Sequence, residues 1–105
     1  MSYQKIKRII DEELLDVVRS LPCVACNKPP PNHAHHLFSK GSGGDDVASN
    51  IISLCFSDHR EIHDHGLTAM ADKYPSVRYW LELAGWEYCE TRKKWTLKIN
   101  KEARK

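Results

Sequence analysis

Residues 35–63 read HHLFSKGSGGDDVASNIISLCFSDHREIH, and the spacing of their side chains predicts both a fold and a chemistry. All six histidines of the protein lie within residues 33–65. His59 and His63 are four residues apart, so on a helix they share one face and form a chelate for a divalent metal ion. The two histidines that open the stretch are adjacent, and adjacent side chains of a strand point in opposite directions. One of them can therefore bind a metal ion while the other points elsewhere.

The segments around these histidines are short and alternate in type. Residues 33–38 and 50–55 are apolar or β-branched and predict two strands. Residues 40–49 are rich in glycine and aspartate and predict the loop between them. Residues 58–65 predict a helix that Gly66 ends. The order strand, loop, strand, helix is a ββα arrangement.

An amphipathic helix is predicted ahead of this region, over residues 3–21, and Pro22 ends it. We expect this helix to serve in packing. Its predicted apolar face follows three- and four-residue steps and consists of Ile6, Ile9, Ile10, Leu14, Val17, Val18 and Leu21.

Two further helices and a hairpin are predicted after the ββα region. Residues 67–74 predict a short helix, and Pro75-Ser76 opens another over residues 77–84 that Gly85 ends. Residues 86–90 and 95–99 predict a β-hairpin. The apolar face of the second helix is Val77, Trp80, Leu81 and Ala84. The hairpin aromatics, which we interpret as cross-strand packing rather than base stacking, are Trp86, Tyr88 and Trp95.

The size and composition of the chain favour one small domain with a metal. A chain of 105 residues with 41% hydrophobic residues buries a modest core, which a structural metal would help to hold together. The charged N-terminus and the absence of a long apolar run predict neither a signal peptide nor a membrane span, and hence a cytoplasmic protein. Four cysteines beside many histidines then favour metal ligation over disulfides.

The net charge of +2 is unevenly distributed. Residues 21–90 contain five basic and nine acidic side chains, which suits a site for cations. Residues 91–105 contain seven basic and one acidic side chain, which suits a polyanion or simply keeps the protein soluble.

Two separate metal sites account for the cysteines and histidines better than one. Cys23 and Cys26 form a knuckle that can grip half of a tetrahedral zinc site. We assign the soft thiolates to a structural zinc and the imidazoles to a second ion with open positions. The predicted zinc set is Cys23, Cys26, Cys55 and Asp58, and the predicted second set is His35, His59 and His63. The alternative, one zinc finger of Cys23, Cys26, Cys55 and His59, leaves His63 without a role.

The ordered set of these residues resembles the HNH endonucleases, also called ββα-metal or His-Me finger nucleases, and the C-x-x-C pair is similar to their zinc-bearing subgroup. The resemblance covers residues 23–66. It implies an α+β fold: a small ββα-metal core with a zinc knuckle, an N-terminal helix in residues 1–22, and C-terminal helices, a hairpin and a basic tail in residues 67–105. The matching residues are His35-His36, Gly41-Ser42-Gly43-Gly44, Asp45 or Asp46, Asn50, Leu54-Cys55, His59 and His63.

The resemblance also implies an activity, the hydrolysis of phosphodiester bonds in DNA, or in RNA, with no organic cofactor and no membrane partner. It implies one catalytic divalent ion (Mg²⁺, Mn²⁺, Ni²⁺ or Zn²⁺) besides the structural zinc. His36 corresponds to the general base, and Asn50 to a residue that fixes the loop and orients that base or, in some relatives, binds the metal. Proteins of this kind are often encoded by phages or prophages. The candidates for phosphate contacts are Lys40, Arg60, Arg92, Lys93 and Lys94.

The chain departs from the family at Asp58, where relatives place a second Cys or a His. A carboxylate can ligate zinc, so we expect Asp58 to complete a weaker site. Alternatively Asp58 caps its helix, and His33 or a water molecule completes the site.

The competing interpretation of the whole domain is a zinc module that binds nucleic acid or protein without catalysis, and a degenerate nuclease is a third. His36 discriminates between enzyme and module, because a binding module does not need a second histidine beside a ligand.

Overall fold

A computed structural model describes residues 8–38 and 44–97 of the protein. These residues form two short antiparallel sheets and three helices. This architecture confirms the predicted α+β class. The elements in chain order are α1 (Glu12–Arg19), β1 (His33–His36), β2 (Ile51–Leu54), α2 (Phe56–Lys73), α3 (Pro75–Ala84), β3 (Trp86–Cys89) and β4 (Lys94–Leu97).

Helix α1 is shorter than predicted, and its start was wrong. The helix begins at Glu12 because Asp11 caps it, accepting a hydrogen bond from the Leu14 N–H at 3.0 Å. The chain ahead of the cap is drawn out of a helical path by residues 44–46. The Asp46 N–H donates to the Ile9 carbonyl at 2.9 Å, so the backbone there pairs with the loop. Residues 1–7 lie outside the described residues.

The predicted apolar face of α1 was also wrong in part. Val18 is buried as predicted, but the second buried side chain of α1 is Leu15, which the pattern missed. Both pack on Ile51 of β2. Four members of the predicted face are instead exposed: Ile9, Ile10, Val17 and Leu21.

Strands β1 and β2 pair antiparallel, with His33 opposite Leu54 and His36 opposite Ile51. Each strand is two residues shorter than predicted. Strand β2 is buried along its whole length, with Ile52 and Leu54 fully inaccessible, because α1 and α2 both pack against this sheet. On β1, His33 and His35 face α2, where both rings lie against His59.

Helix α2 contains the predicted break. Gly66 has φ 89° and ψ 166°, a conformation that glycine adopts without a Cβ penalty, so two helical halves meet there. The first half begins at Phe56, two residues earlier than predicted. The expected helix that follows is the second half, which ends at Lys73. Gly85, with φ 98°, ends α3 as predicted.

The hairpin β3–β4 forms as predicted, although residues 98–99 of its second strand lie outside the described residues. Tyr88 stands opposite Trp95 with ring centroids 5.8 Å apart, which confirms cross-strand packing for this pair. Trp86 is buried instead, and its indole N–H donates to the Ser49 carbonyl at 2.7 Å. The predicted face of α3 packs into the same core through Val77 and Leu81. None of the described helices is long and apolar enough to cross a membrane.

Candidate active site and metal centres

The three thiols expected to bind zinc lie together with the Asp58 carboxylate. One ligand atom from each of the four side chains lies within 4.8 Å of all the others. The knuckle is fixed to the sheet by the Val24 N–H, which donates to the Ser53 carbonyl at 2.9 Å. Cys55 is the N-cap of α2, and Asp58 lies in the first turn of that helix. All four cysteines of the chain are free thiols.

Asp58 faces the thiols and does not cap its helix. Its Oδ2 accepts from Cys23 Sγ at 3.2 Å and from Cys55 Sγ at 3.3 Å, and the helix has no side-chain cap. Burial opposes ionisation, but the hydrogen bonds from the three thiols outweigh it and lower the pKa of Asp58. The hydrogen bond to the Asp58 carboxylate, and to a lesser extent burial, raises the pKa of Cys26 to about 12. Metal binding must therefore displace protons from this cluster.

The three imidazoles of the second predicted set converge from two elements. His35 lies on β1, and His59 and His63 lie one turn apart on α2, with a ligand nitrogen of each within 4.8 Å of the others. His59 Nε2 lies 3.0 Å from His35 Nδ1. Burial and then the neighbouring imidazoles lower the pKa of His35 to about 4, so its lone pair is available at neutral pH. His63 is exposed, which leaves the cluster open to solvent.

His33 belongs to this histidine cluster and not to the thiol cluster. Its Nδ1 lies 2.7 Å from Nδ1 of His59, so it occupies the nitrogen that His59 does not turn toward His35. Sequence reasoning left His33 as an outsider or as a zinc ligand. The spacing of the two histidines could have indicated this placement, because His33 and His35 are two residues apart on one strand and so share a face. The alternative zinc finger that included His59 is likewise not what the fold brings together.

His36 points away from the three imidazoles, as the alternation of a strand requires. Its Nε2 lies 2.6 Å from Oδ1 of Asp46, and only 9% of its side chain is exposed. Asp46 is fully buried at its carboxylate and also accepts from Arg8 Nη1 at 2.9 Å. Sequence reasoning counted this aspartate as a motif residue but gave it no task.

The Asn50 side chain ties the loop to the end of the first strand. Its Oδ1 accepts from the Phe38 N–H at 2.7 Å, and its Nδ2 donates to the carbonyls of Phe38 at 3.1 Å and Asp45 at 3.0 Å. The amide thereby continues the ladder beyond the last paired residues. It holds the loop next to His36 through Asp45 and not by contact with the ring.

The basic candidates occupy two exposed places. Arg60 lies on the first half of α2, and three others lie at the hairpin turn: Arg92, Lys93 and Lys94. Arg92 and Lys94 line a cleft of about 700 Å³ together with Phe38 and Trp95. Lys40 lies outside the described residues.

Comparison with known proteins agrees with this geometry. Residues 23–65 match the HNH endonuclease family. The chain is similar to the uncharacterized protein YdfU of Escherichia coli K12, with 32% identity over 79 residues. That similarity covers 72% of this chain and 22% of YdfU, so the chain spans about a fifth of the relative's length. No solved structure gives a significant match. Residues 23–65, which carry both metal-ligand clusters, are therefore the part of the chain that matches the HNH endonuclease family, and the thiol cluster is consistent with its zinc-bearing subgroup.

Proposed function

We propose that the protein is a metal-dependent endonuclease that hydrolyses phosphodiester bonds of DNA. The observation that carries this proposal is the convergence of His35, His59 and His63 within a segment that matches the HNH family. Three imidazoles, one of them exposed, suit a divalent ion with coordination positions left for water and substrate.

The histidine cluster fits such an ion by its donor chemistry. A lowered pKa keeps the His35 ring neutral, and a neutral ring is what a metal needs from a histidine. When bound, the ion supplies charge to neutralise the phosphate and to stabilise the leaving oxygen. His33 would orient His59 through the nitrogen that does not face the ion.

We assign the transfer of the proton from the attacking water to a side chain of the protein. We infer that His36 accepts a proton from the attacking water, as a neutral imidazole near the site can at neutral pH. Asn50 keeps the loop against the end of β1 and so preserves the surroundings of His36. Both assignments rest on the family resemblance. In the chain His36 directly follows the proposed ligand His35 on β1, and Asn50 directly precedes β2.

The thiol cluster is assigned to a structural zinc held by Cys23, Cys26, Cys55 and Asp58. It joins the knuckle, the end of β2 and the start of α2, which carries His59 and His63. The zinc would therefore fix the helix that presents two of the catalytic ligands. Free thiols and a nucleic-acid substrate favour an intracellular location.

Substrate contacts are assigned to the exposed cations. Arg92 and Lys94 border the cleft that also contains Phe38 and Trp95, so a phosphate and an aromatic contact are available side by side. Arg60 is exposed on the helix that carries the metal-binding histidines and is a further candidate.

Incubation of supercoiled plasmid with the zinc-loaded protein, a panel of divalent metals and a chelator control tests the proposal. We expect metal-dependent nicking or linearisation that stops on chelation. The double variant His59→Ala/His63→Ala should keep its zinc and lose cleavage. A wild type that binds the plasmid but never cuts it with any metal would instead show a non-catalytic binding module.

A further inference from the structure

Asp46 is the most fully enclosed charged group among the described residues, and three donors surround it. Its side chain has no exposed surface. Oδ1 lies 2.6 Å from His36 Nε2 and accepts from Arg8 Nη1 at 2.9 Å, and Oδ2 accepts from the Asp11 N–H at 2.9 Å. A buried carboxylate with this many donors is held in its ionised form.

The charge of Asp46 dictates which nitrogen of His36 holds the proton. An ionised carboxylate has no proton to give, so the His36 Nε2 must donate to it. In the neutral ring the other nitrogen, Nδ1, then has a free lone pair. Among the described residues, no hydrogen bond occupies that Nδ1, so it is the nitrogen available to accept a proton.

We propose that Asp46 is a positioning residue that holds His36 in its Nε2–H tautomer and leaves Nδ1 as the basic atom. The inference rests on the proposed function insofar as His36 is the general base. It goes further in naming the atom that accepts the proton and the group that sets it. A carboxylate that fixes a histidine in one tautomer is a general device for making the opposite nitrogen basic.

The N-terminal segment keeps Asp46 in place. The Arg8 guanidinium donates to the Gly44 carbonyl at 3.0 Å as well as to Asp46. The Ile9 N–H donates to Asp45 Oδ1 at 2.7 Å, and the Asp46 N–H donates back to the Ile9 carbonyl at 2.9 Å. The carboxylate is thus held on both sides, and it cannot turn away from His36 without breaking these bonds.

The tautomer can be measured directly on the wild-type protein. Long-range ¹H–¹⁵N spectra of the zinc-loaded chain, kept free of other divalent metals, report which ring nitrogen carries the proton. The His36 signals are assigned by their loss in His36→Gln. We expect the Nε2–H form to predominate once the ring is neutral. A predominant Nδ1–H form would overturn the proposal without any variant of Asp46.

A matched pair of variants then tests the consequence for cleavage. Asp46→Asn removes the ionised acceptor and should shift His36 toward the Nδ1–H form. Cleavage should fall by about 100-fold, within the range of a disabled general base. Asp45→Asn is the control, because asparagine keeps the oxygen that accepts from the Ile9 N–H and this side chain does not touch the ring. It should keep the tautomer and a rate near that of wild type.

The outcomes separate this inference from the proposed function. A folded, zinc-loaded Asp46→Asn that cuts as fast as wild type would show that Asp46 serves structure alone. If wild type cuts no plasmid, the nuclease proposal fails, and the tautomer measured in wild type and in Asp46→Asn decides the positioning role alone. If Asp46→Asn does not fold, a predominant Nδ1–H form in the wild-type spectrum would still overturn the proposal.

Discussion

His59 Nε2 lies 3.0 Å from His35 Nδ1, although 24 residues separate the two along the chain. Two nitrogens bound tetrahedrally to one zinc ion at about 2.0–2.1 Å would lie roughly 3.3 Å apart. The pair is therefore already close to the spacing that a shared metal requires. The sheet supplies one ring and the helix the other, so ion binding demands little rearrangement of the fold.

Removal of one imidazole should abolish the second metal site alone. His63→Ala leaves two ligands, and we expect metal affinity to fall by more than about 100-fold. Substitution of residues that only hydrogen-bond to a metal ligand already lowers metal affinity by about 10–100-fold. Calorimetric titration of the zinc-loaded protein measures this. His65→Ala, exposed on the same helix and outside the cluster, is the control. Loss of the zinc in His63→Ala would show that the ligands are partitioned wrongly.

Removal of one thiol should unfold the domain. Structural zinc contributes about 10–16 kcal/mol in zinc-finger peptides, whereas whole domains are stable by about 5–15 kcal/mol. Cys26→Ala should therefore lose its zinc and its cooperative unfolding transition. Metal analysis and thermal melting measure both. Cys89→Ala changes a thiol outside the cluster and should retain the zinc. A wild type that folds fully without zinc contradicts the prediction.

The oxygen ligand should make the zinc easier to remove than in a site of four thiolates. Asp58→Cys places a soft ligand beside the three thiols, and soft ligands suit zinc. We expect zinc release to a chelator to slow by roughly tenfold, equivalent to about 1.4 kcal/mol. The release rate is followed with a chromogenic chelator. Equal or faster release from Asp58→Cys would argue that Asp58 is not a ligand.

Loss of His36 should affect chemistry and not binding. His36→Ala removes the inferred base, so plasmid cleavage should fall by about 10²- to 10⁴-fold. Both metals and the affinity for DNA should stay near wild-type values, because His36 points away from the three imidazoles. Cleavage assays, metal analysis and a DNA-binding titration measure these. If His36→Ala loses the divalent ion of the histidine cluster, the roles of His35 and His36 must be exchanged.

Acid should destabilise the protein through His35. Burial and the neighbouring imidazoles lower the folded pKa of His35 from 6.5 to about 4. Between these values the unfolded chain binds a proton that the folded chain does not, so the free energy of unfolding falls as the pH falls through this window. Below about pH 4 this loss is complete.

Urea unfolding of wild type and His35→Gln, both zinc-loaded, measures this effect from about pH 7.5 to about pH 5. The comparison cancels the pH dependence of zinc binding, which both proteins share. Wild type should lose more stability than the variant on acidification. A constant difference between the two proteins would contradict the lowered pKa.

Patterns confined to a few neighbouring residues predicted much of this protein correctly. The four-residue spacing of His59 and His63 placed both rings on one face of a helix. The adjacency of His35 and His36 separated their side chains. Gly66 and Gly85 marked the breaks in the helices. Each of these follows from the period of a helix or strand or from the freedom of glycine, which the chain carries locally.

Only the tertiary structure decided which distant groups meet. Residues 44–46 draw residues 8–10 out of the predicted helix and enclose Asp46 between Arg8 and His36. The packing of β1 against α2 places His33 on His59. Arg8 and Asp46 are 38 positions apart in the chain, and His33 and His59 are 26 apart. His36 and Asp46 are only 10 apart but lie on opposite sides of the loop. The spacing of residues along the chain specifies local direction, but partners across a loop are chosen by burial and by the need to satisfy buried charge, which depend on the whole fold.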